Sequence, residues 1–412
     1  MKFYLAKTSA LPRAARAATA PLAPETSWVR FGDETLFYGA DEAAAPARNI
    51  RALAPEFAVT RKQLYVVVQN GRLFQQHHPR IPVIHDRGRY LLVKLDPRRA
   101  RQLHGKHETC FEVLPLVDNQ SVFEVSARAA AARAPVPFIQ NLVNRVQRAG
   151  FEADLTRLAG FSTRHSTSPQ YQQALNFART QLTSQGYQTR LQQVAVGGGT
   201  SRNLIADKPG LGNAATRQVV LITAHLDSIN LAGGPLAPAP GADDNGSGSA
   251  GILELARVFQ AHRSVHDLRL ILFGGEEQGL FGSKRYVASL TAAERTRLRA
   301  VVNMDMIASL NTPPRTVLLE GALVSQAVIS GLSAAAATYT QLQVETSLHA
   351  ANSDHVPFIN AGLPAVLTIE GADSTNHTVH SVNDSLNRIN FDLALEILRM
   401  NAAYLASEIG QA

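Results

Sequence analysis

The residues of this chain best suited to chemistry are histidines and carboxylates in short motifs. They are His225 and Asp227 in AHLDS, Asp243 and Asp244 in PGADDNGSG, Glu276 and Glu277 in FGGEEQG, Asp305 in VNMD, and His380 in HSVND. Cys110 is the one cysteine, which excludes both a cysteine-based zinc site and an intrachain disulfide. Histidine and carboxylate donors without thiolate fit zinc or a similar borderline ion.

The size of this donor set favours a pair of ions. Two histidines with three of these carboxylates already exceed what one catalytic zinc holds while it keeps an open position. They suit two metals roughly 3.5–4 Å apart that share a bridging carboxylate. Two divalent cations against three carboxylates leave positive charge, which would acidify a bridging water. We therefore expect two Zn²⁺ per chain.

The elements that must position these residues are predicted strands. His225 and Asp227 follow VVLITA, the two glutamates follow LRLILFGG, Asp305 ends AVVNM, and His380 lies beyond PAVLTIEG. Each lies at or past the C-terminal end of a strand, where open α/β sheets place their active sites. Taken singly, each has a structural interpretation, such as a strand-end cap for Asp227 or an exposed turn for the glutamates. Their shared position favours one joint site.

The stretch PGADDNGSGSAG, which ends at Gly251, also contains the spacing G-x-G-x-x-G. A dinucleotide loop follows a strand directly, whereas LAGGPLAPAP precedes this stretch and cannot be a strand. Its two aspartates would also repel phosphate. We interpret the glycines as turn geometry for a metal-binding loop that enters a helix ending near Phe259.

Two domains are predicted. Residues 1–124 carry short β-type runs and a hairpin signal at Asn70–Gly71, which indicate a small strand-rich α+β domain. Residues 125–137 are rich in Ala, Arg and Pro and form a connector. In residues 138–412, strand-like and helix-like runs alternate, which predicts an α/β catalytic domain with a mainly parallel twisted sheet and helices on both faces.

Composition narrows the function classes. The net charge is +7 and the sequence pI about 9.7, but the arginines are scattered instead of clustered with aromatics, which argues against nucleic-acid binding. No apolar run is long enough to span a membrane. The N-terminal residues lack a continuous apolar region and do not form an intact secretory signal. A cytoplasmic protein and an exported protein without its signal both stay open.

Six motifs in order carry a family resemblance: AHLDS, PGADDNGSG, FGGEEQGLFGS, VNMDMI, SDHVPF and HSVNDSL. They closely resemble those of the bacterial secreted dizinc aminopeptidases, a family that also holds glutaminyl cyclases and the transferrin-receptor ectodomain. The resemblance covers about Phe161 to the C-terminus and does not reach the N-terminal domain.

The resemblance implies a role for each residue. Asp244 matches the bridging ligand, and Asp227 matches a carboxylate that orients the ring of a ligand histidine. Glu276 matches the general base, which takes a proton from the metal-bound water and passes it to the leaving amine. The remaining metal ligands implied are His225, Glu277, Asp305 and His380. The implied reaction is hydrolysis of the first peptide bond of an unblocked peptide through a metal-bridging hydroxide.

Two departures bear on these roles. His377 in NHTVH competes with His380, although HSVND fits the family pattern at His380. The best-known members carry a tyrosine that stabilises the oxyanion and a nearby disulfide, whereas this chain reads SLHAAN. His349 is a candidate replacement, and a core or surface role for it is equally open.

Other functions remain as alternatives. A glutaminyl cyclase-like acyl transferase typically uses a single zinc, and a receptor-like relative loses ligands or the base. The full set in this chain argues against both, while a dipeptidase or carboxypeptidase stays open. The expected partners are peptides with a free N-terminus, for a monomer that acts in the periplasm or outside the cell. The N-terminal domain is expected to be propeptide-like or accessory, or only a packing partner.

Overall fold

A computed structural model describes residues 1–11, 26–39, 51–53, 58–104, 111–126, 132–311 and 313–412. The chain forms two compact units. The first comprises Met1–Ser126 with Glu345–Asn352, and the second comprises Ala127–Val344 with Ser353–Ala412. Cys110 and residues 127–131 of the predicted connector lie outside the described residues. Across the described ranges, no helix combines the length and apolar character that a membrane crossing requires.

The first unit is rich in strands. These are Phe3–Lys7 (β1), Ser27–Phe31 (β2), Glu34–Tyr38 (β3), Arg51–Ala52 (β4), Leu64–Gln69 (β5), Val83–Arg87 (β6), Tyr90–Lys94 (β7), Phe111–Pro115 (β8) and Gln120–Val125 (β9), with the helices Leu73–His77 (α1) and Pro97–Leu103 (α2). One sheet has the order β9-β2-β3-β1-β4, with β2 and β9 parallel, and a second antiparallel sheet has the order β6-β7-β5-β8.

The hairpin predicted at Asn70–Gly71 is wrong. β5 pairs with β7 and β8, and the Asn-Gly turn leads into α1 instead of a returning strand. The physical reason is burial, because Phe74 of α1 is fully buried against the apolar core of this sheet. A two-residue hairpin turn lies instead between β6 and β7, where Gly88 takes a φ of +74° and Arg87 pairs with Tyr90.

The second unit alternates strands and helices. Its elements are Pro137–Val143 (α3), Arg148–Ala159 (α4), Pro169–Ser184 (α5), Gln188–Val196 (β10), Gly199–Lys208 (β11), Val219–His225 (β12), Gly248–Phe259 (α6), Asp267–Phe273 (β13), Phe281–Ser289 (α7), Ala292–Arg297 (α8), Leu298–Met304 (β14), Thr316–Glu320 (β15), Gln326–Tyr339 (α9), Gln343–Ser347 (β16), His355–Asn360 (α10), Ala365–Glu370 (β17) and Phe391–Ile409 (α11). The last three residues of β16 belong to the first unit, where they pair with β9.

The sheet of the second unit confirms the predicted α/β fold. Its order is β10-β11-β13-β12-β14-β17-β15. The central strands β13, β12, β14 and β17 are parallel, whereas β10, β11 and β15 pair antiparallel at the two sides. The sheet is therefore mixed, with its parallel part at the centre.

Helices cover both faces of this sheet. Along β12, Val220 and Ile222 face a core that includes residues of α5, α6 and α11. Leu221 faces the opposite core, which holds Tyr286 of α7 and Phe358 of α10. Alternate residues of a strand point to opposite faces, so a strand buried on both faces is mostly apolar, as VVLITA is apart from Thr223. The parallel centre brings the C-terminal ends of four strands to one edge.

Candidate metal centre

One group of ligand-type side chains forms where β12 and β14 end. His225 is the last residue of β12, and Asp305 follows the last residue of β14. The Nε2 atom of His225 lies 3.2 Å from Oδ1 of Asp244 and 3.2 Å from Oδ1 of Asp305. All three side chains are buried. Parallel pairing of β12 with β14 is what brings these residues together from distant parts of the chain.

A second group forms beside the first. The Nε2 atom of His380 lies 3.0 Å from Oδ2 of Asp244 and 3.0 Å from Oε2 of Glu277. In each group, the ligand-type atoms of the three residues lie within 4.8 Å of one another. Asp244 belongs to both groups and presents a different carboxylate oxygen to each.

The turn before Asp244 depends on glycine. Gly241 has a φ of +52°, a left-handed conformation that residues with a side chain rarely adopt. A Cβ atom at this position would lie 2.5 Å from the carbonyl oxygen of Asp244. The glycines of this loop therefore serve backbone geometry, as the sequence predicted.

Arg164 holds the same loop from inside the protein, and sequence reasoning missed it. Its guanidinium is fully buried and donates to the carbonyls of Gly241 and Leu226, each at 2.8 Å, and to that of Leu158 at 3.1 Å. Burial lowers the pKa of Arg164 to about 10, against the opposing effect of Asp384 and Asp227, so it stays charged at neutral pH. The only signal was its place in FSTRHSTS, the stretch where the family resemblance begins.

The carboxylate of Asp227 organises the turn that carries both glutamates. Its Oδ1 accepts the backbone N–H of Glu276 at 3.4 Å, and its Oδ2 accepts that of Glu277 at 3.2 Å. The Nδ1 atom of His225 lies 3.1 Å from the backbone carbonyl oxygen of Asp227 but 3.8 Å from its carboxylate. An Nδ1–H donor to this carbonyl leaves the lone pair of Nε2 facing Asp244 and Asp305, in the form that binds metal.

Glu276 and its neighbour Glu277 have different surroundings. Glu277 contacts His380, whereas the charges acting on Glu276 come from His225, Asp354 and Asp305, and from Glu277 itself. Burial raises the pKa of Glu276 well above its usual range, and nearby carboxylates add to this against the effect of His225. Glu276 is therefore a buried carboxyl group with a raised pKa, close to the candidate ligands His225 and Asp305.

The site is short of positive charge. Burial raises the pKa of Glu277 and that of Asp354 to about 7 each. Burial alone would lower the pKa of His225, but Asp305, Glu276 and the hydrogen bonds to Asp244 and Asp305 raise it well above its usual value. Within the described ranges, Oε1 of Glu277 is buried without a hydrogen-bond partner. Clustered buried carboxylates with an orphaned oxygen fit divalent cations, which would compensate this charge.

A chain of hydrogen bonds orients Asp305. Ser353 donates from Oγ to Oδ2 of Asp305 at 2.6 Å, and Asn303 donates to Oγ of Ser353 at 2.8 Å. Thr223 in turn donates to Oδ1 of Asn303 at 2.8 Å. The sequence showed Ser353 within SDHVPF but not this role. Such partners fix the orientation of a metal-binding carboxylate.

The structure separates the competing histidines. His380 is buried within the second group, whereas His377 is exposed. In the first unit, His349 has Nδ1 at 3.1 Å from the carbonyl oxygen of Val122 and Nε2 at 3.4 Å from the side-chain amide of Gln120. These contacts with β9 favour a structural role for His349.

The fold and this site define an α/β protein with a candidate metal centre at the carboxyl edge of its sheet. Residues 203–405 match the profile of peptidase family M28. The chain is 31% identical over 321 residues to leupeptin-inactivating enzyme 1 of Streptomyces exfoliatus, an alignment that covers 73% of this chain and 69% of that protein. It is 34% identical over 194 residues to aminopeptidase YwaD of Bacillus subtilis, covering 46% of this chain and 41% of the relative.

The chain thus belongs to peptidase family M28, which confirms the predicted family and the predicted enzyme class, a peptidase. A solved structure with the same fold is that of the LapA aminopeptidase of Legionella pneumophila. Its TM-score is 0.60 at 17% identity, and the match covers 84% of this chain and 98% of that structure.

Proposed function

We propose that this protein is a dinuclear zinc aminopeptidase, which removes the first residue of peptides with a free N-terminus. The observation that carries the proposal is the position of Asp244. Its Oδ1 lies 3.2 Å from Nε2 of His225, and its Oδ2 lies 3.0 Å from Nε2 of His380. A carboxylate with one oxygen in each of two ligand groups suits a bridge between two ions.

The ligands divide between two ions. His225 and Asp305 would hold one ion, His380 and Glu277 the other, and Asp244 both. Zinc bound there supplies Lewis-acid polarisation of the substrate carbonyl and lowers the pKa of water. The protein's own part is to fix these donors on strand ends and, through Ser353 and Asp227, to orient them.

Glu276 is the proposed general base. It accepts a proton from the attacking water and donates it to the nitrogen of the leaving amine, so that it returns to a carboxylate after each cycle. Both transfers require a pKa near the working pH, and burial raises the pKa of Glu276 in that direction. Asp227 positions Glu276 by accepting its backbone N–H.

A free N-terminus fits the charge of the site. The α-ammonium group is a cation, and the described residues around the candidate centre are mostly buried carboxylates. The relative YwaD is named an aminopeptidase, which supports the same substrate class. A cyclase typically needs only one zinc, and a receptor-like relative lacks ligands or base; the complete set in this chain supports the hydrolase over both.

Metal content and peptide hydrolysis together test the proposal. We expect about two zinc ions per wild-type chain, loss of metal in Asp244→Ala, and release of the first residue from unblocked but not N-acetylated peptides. One zinc without hydrolysis would favour the cyclase. A zinc-reconstituted protein that holds no metal would exclude the catalytic proposal.

The remaining proposals concern the whole protein. We propose a monomer that acts outside the cytoplasm, with residues 1–124 as a pro- or accessory domain before the catalytic domain 138–412. A specific protease site in the connector 125–137 tests the role of the N-terminal domain. Activity that rises after cleavage indicates a propeptide, and unchanged activity rejects an inhibitory role.

A further inference from the structure

The chain between Asp227 and Asp244 includes a loop, residues 229–238, with exposed apolar side chains. Leu231 is 52% exposed and Leu236 is 73% exposed. An exposed leucine side chain leaves water only when a ligand binds over it. Each Å² of apolar area buried in this way stabilises the complex by about 25 cal/mol. The loop therefore has a surface suited to an apolar ligand.

The loop is internally braced. Asn230 donates from Nδ2 to the carbonyl of Pro238 at 2.8 Å and accepts the N–H of Ala232 at 2.9 Å. At its base, Ser228 donates to the carbonyl of Ala239 at 2.7 Å, and the N–H of Ala239 donates to the carbonyl of Ser162 at 2.7 Å. A braced loop presents its leucines at a small entropic cost on binding.

The loop is joined directly to the candidate metal centre. The backbone N–H of Leu231 donates to the carbonyl of His380 at 3.1 Å. Val382, two residues beyond this histidine, is 51% exposed. Two residues with exposed apolar side chains, Leu231 and Val382, therefore adjoin the backbone of the candidate ligand His380.

Additional carboxylates surround the other ligand group. Around His225, the carboxylates of Asp305, Asp354 and Glu276 are buried. Both oxygens of Asp354 lack a hydrogen-bond partner among the residues that the structure describes. The cationic N-terminus of a peptide is drawn toward this acidic side, so the remainder of the peptide extends toward the loop.

We propose that Leu231 and Val382 form an apolar subsite for the residue that follows the scissile bond. The favoured substrates are unblocked peptides with an apolar second residue. This inference rests on the proposed aminopeptidase function, because it assumes that the N-terminus occupies the acidic side.

Two peptide series test the subsite in the zinc-loaded protein. In Ala-Xaa-Gly the second residue is Leu or Ser, and in Xaa-Ala-Gly the first residue varies in the same way. We expect Leu231→Ser and Val382→Ser each to reduce the Leu-over-Ser preference at the second position about 5-fold, mainly through KM. The preference at the first position should not change.

Leu211→Ser is the matched control. Leu211 is 56% exposed and precedes β12, at the opposite end of this strand from His225. Its substitution should leave both preferences at the wild-type values. An unchanged second-position preference in both test variants, or a loss of first-position preference instead, would overturn the subsite. A wild-type protein that cleaves no peptide of either series would reject the aminopeptidase function itself, whereas cleavage without second-position preference rejects only the subsite.

Discussion

Asp384 accepts the backbone N–H of Asp244 at 2.9 Å through Oδ2, while its Oδ1 accepts that of Asp243 at 2.9 Å. Asp384 and the candidate ligand His380 both belong to HSVND. One short motif thus supplies a candidate ligand and also fixes the backbone of the carboxylate that faces both ligand groups. The position of Asp244 is set by this pair of hydrogen bonds together with the contacts of Arg164 to the same loop.

Asp384→Asn should weaken metal binding without removing a ligand. The amide has one acceptor oxygen and places an NH₂ group against one of the two N–H donors, so the Asp244 loop loses a hydrogen bond. We expect the zinc dissociation constant, measured by competition with a chelator, to rise about 10- to 100-fold. Asp392→Asn, at an exposed ion pair with Arg315, is the control and should bind zinc normally. Equal affinities in the two variants would contradict this role.

His380→Ala and His377→Ala form a matched pair three positions apart. His380 lies 3.0 Å from Asp244 and from Glu277, whereas His377 is exposed. For His380→Ala, we expect elemental analysis to find about one zinc ion fewer than in the wild type. We also expect kcat to fall at least about 100-fold, because Asp244 would then have only one ion to bind. His377→Ala should retain both its metal and its activity. The reverse pattern would assign the ligand role to His377.

The neighbouring glutamates should separate chemistry from metal binding. Glu276→Gln keeps the size of the side chain but cannot accept a proton, so kcat should fall by about 100-fold to 10,000-fold while the zinc content is unchanged. Glu277→Gln replaces a candidate ligand and should reduce the zinc content. Peptide hydrolysis and elemental analysis on the same samples distinguish the two. Zinc loss in Glu276→Gln with zinc retained in Glu277→Gln would reverse the assignments.

Asp154 should make stability depend on pH away from the site. Burial and the nearby charge of Glu254 raise the pKa of Asp154 from 3.8 to about 6 in the folded protein. Between these pH values the folded state binds more protons than the unfolded state, so the free energy of unfolding decreases as pH rises from about 4 to 6. Because Asp154 is only partly buried, we expect about 1 kcal/mol from this group.

Urea unfolding of the zinc-loaded protein at pH 5 and pH 7 measures this effect. Asp154→Asn should be more stable than the wild type at pH 7 and should show a smaller change between the two pH values. Glu152→Gln, at an exposed ion pair on the same helix, is the control and should keep the wild-type dependence. If Asp154→Asn had the same free energy of unfolding as the wild type at both pH values, folding would not raise the pKa of Asp154.

The fold of the second unit could be predicted because its signals are local. Strands buried on both faces are mostly apolar, as in VVLITA. Helix α5 begins after Ser168, whose side chain caps the helix by accepting the N–H of Tyr171. The antiparallel strands at the two sides of the sheet could not be predicted in the same way, because strand order depends on pairing between distant segments of the chain. The Asn70–Gly71 turn misled for the same reason, since burial of Phe74 selected a helix over a returning strand.

The sequence by itself determined the donor types of the candidate site and the strand ends at which they occur. Residue chemistry and apolar runs belong to consecutive residues, so histidine and carboxylate donors at strand ends could be recognised without coordinates. The resemblance of the motifs to a known family then implied His225, Asp244, Glu277, Asp305 and His380 as the ligands. Only the tertiary structure decided which oxygen of Asp244 faces which histidine, and that the backbone carbonyl of Asp227, more than its carboxylate, contacts the ring of His225. It also decided that Arg164 is buried beneath the loop. These features depend on side-chain directions and on contacts between segments far apart in the chain, which no local pattern encodes.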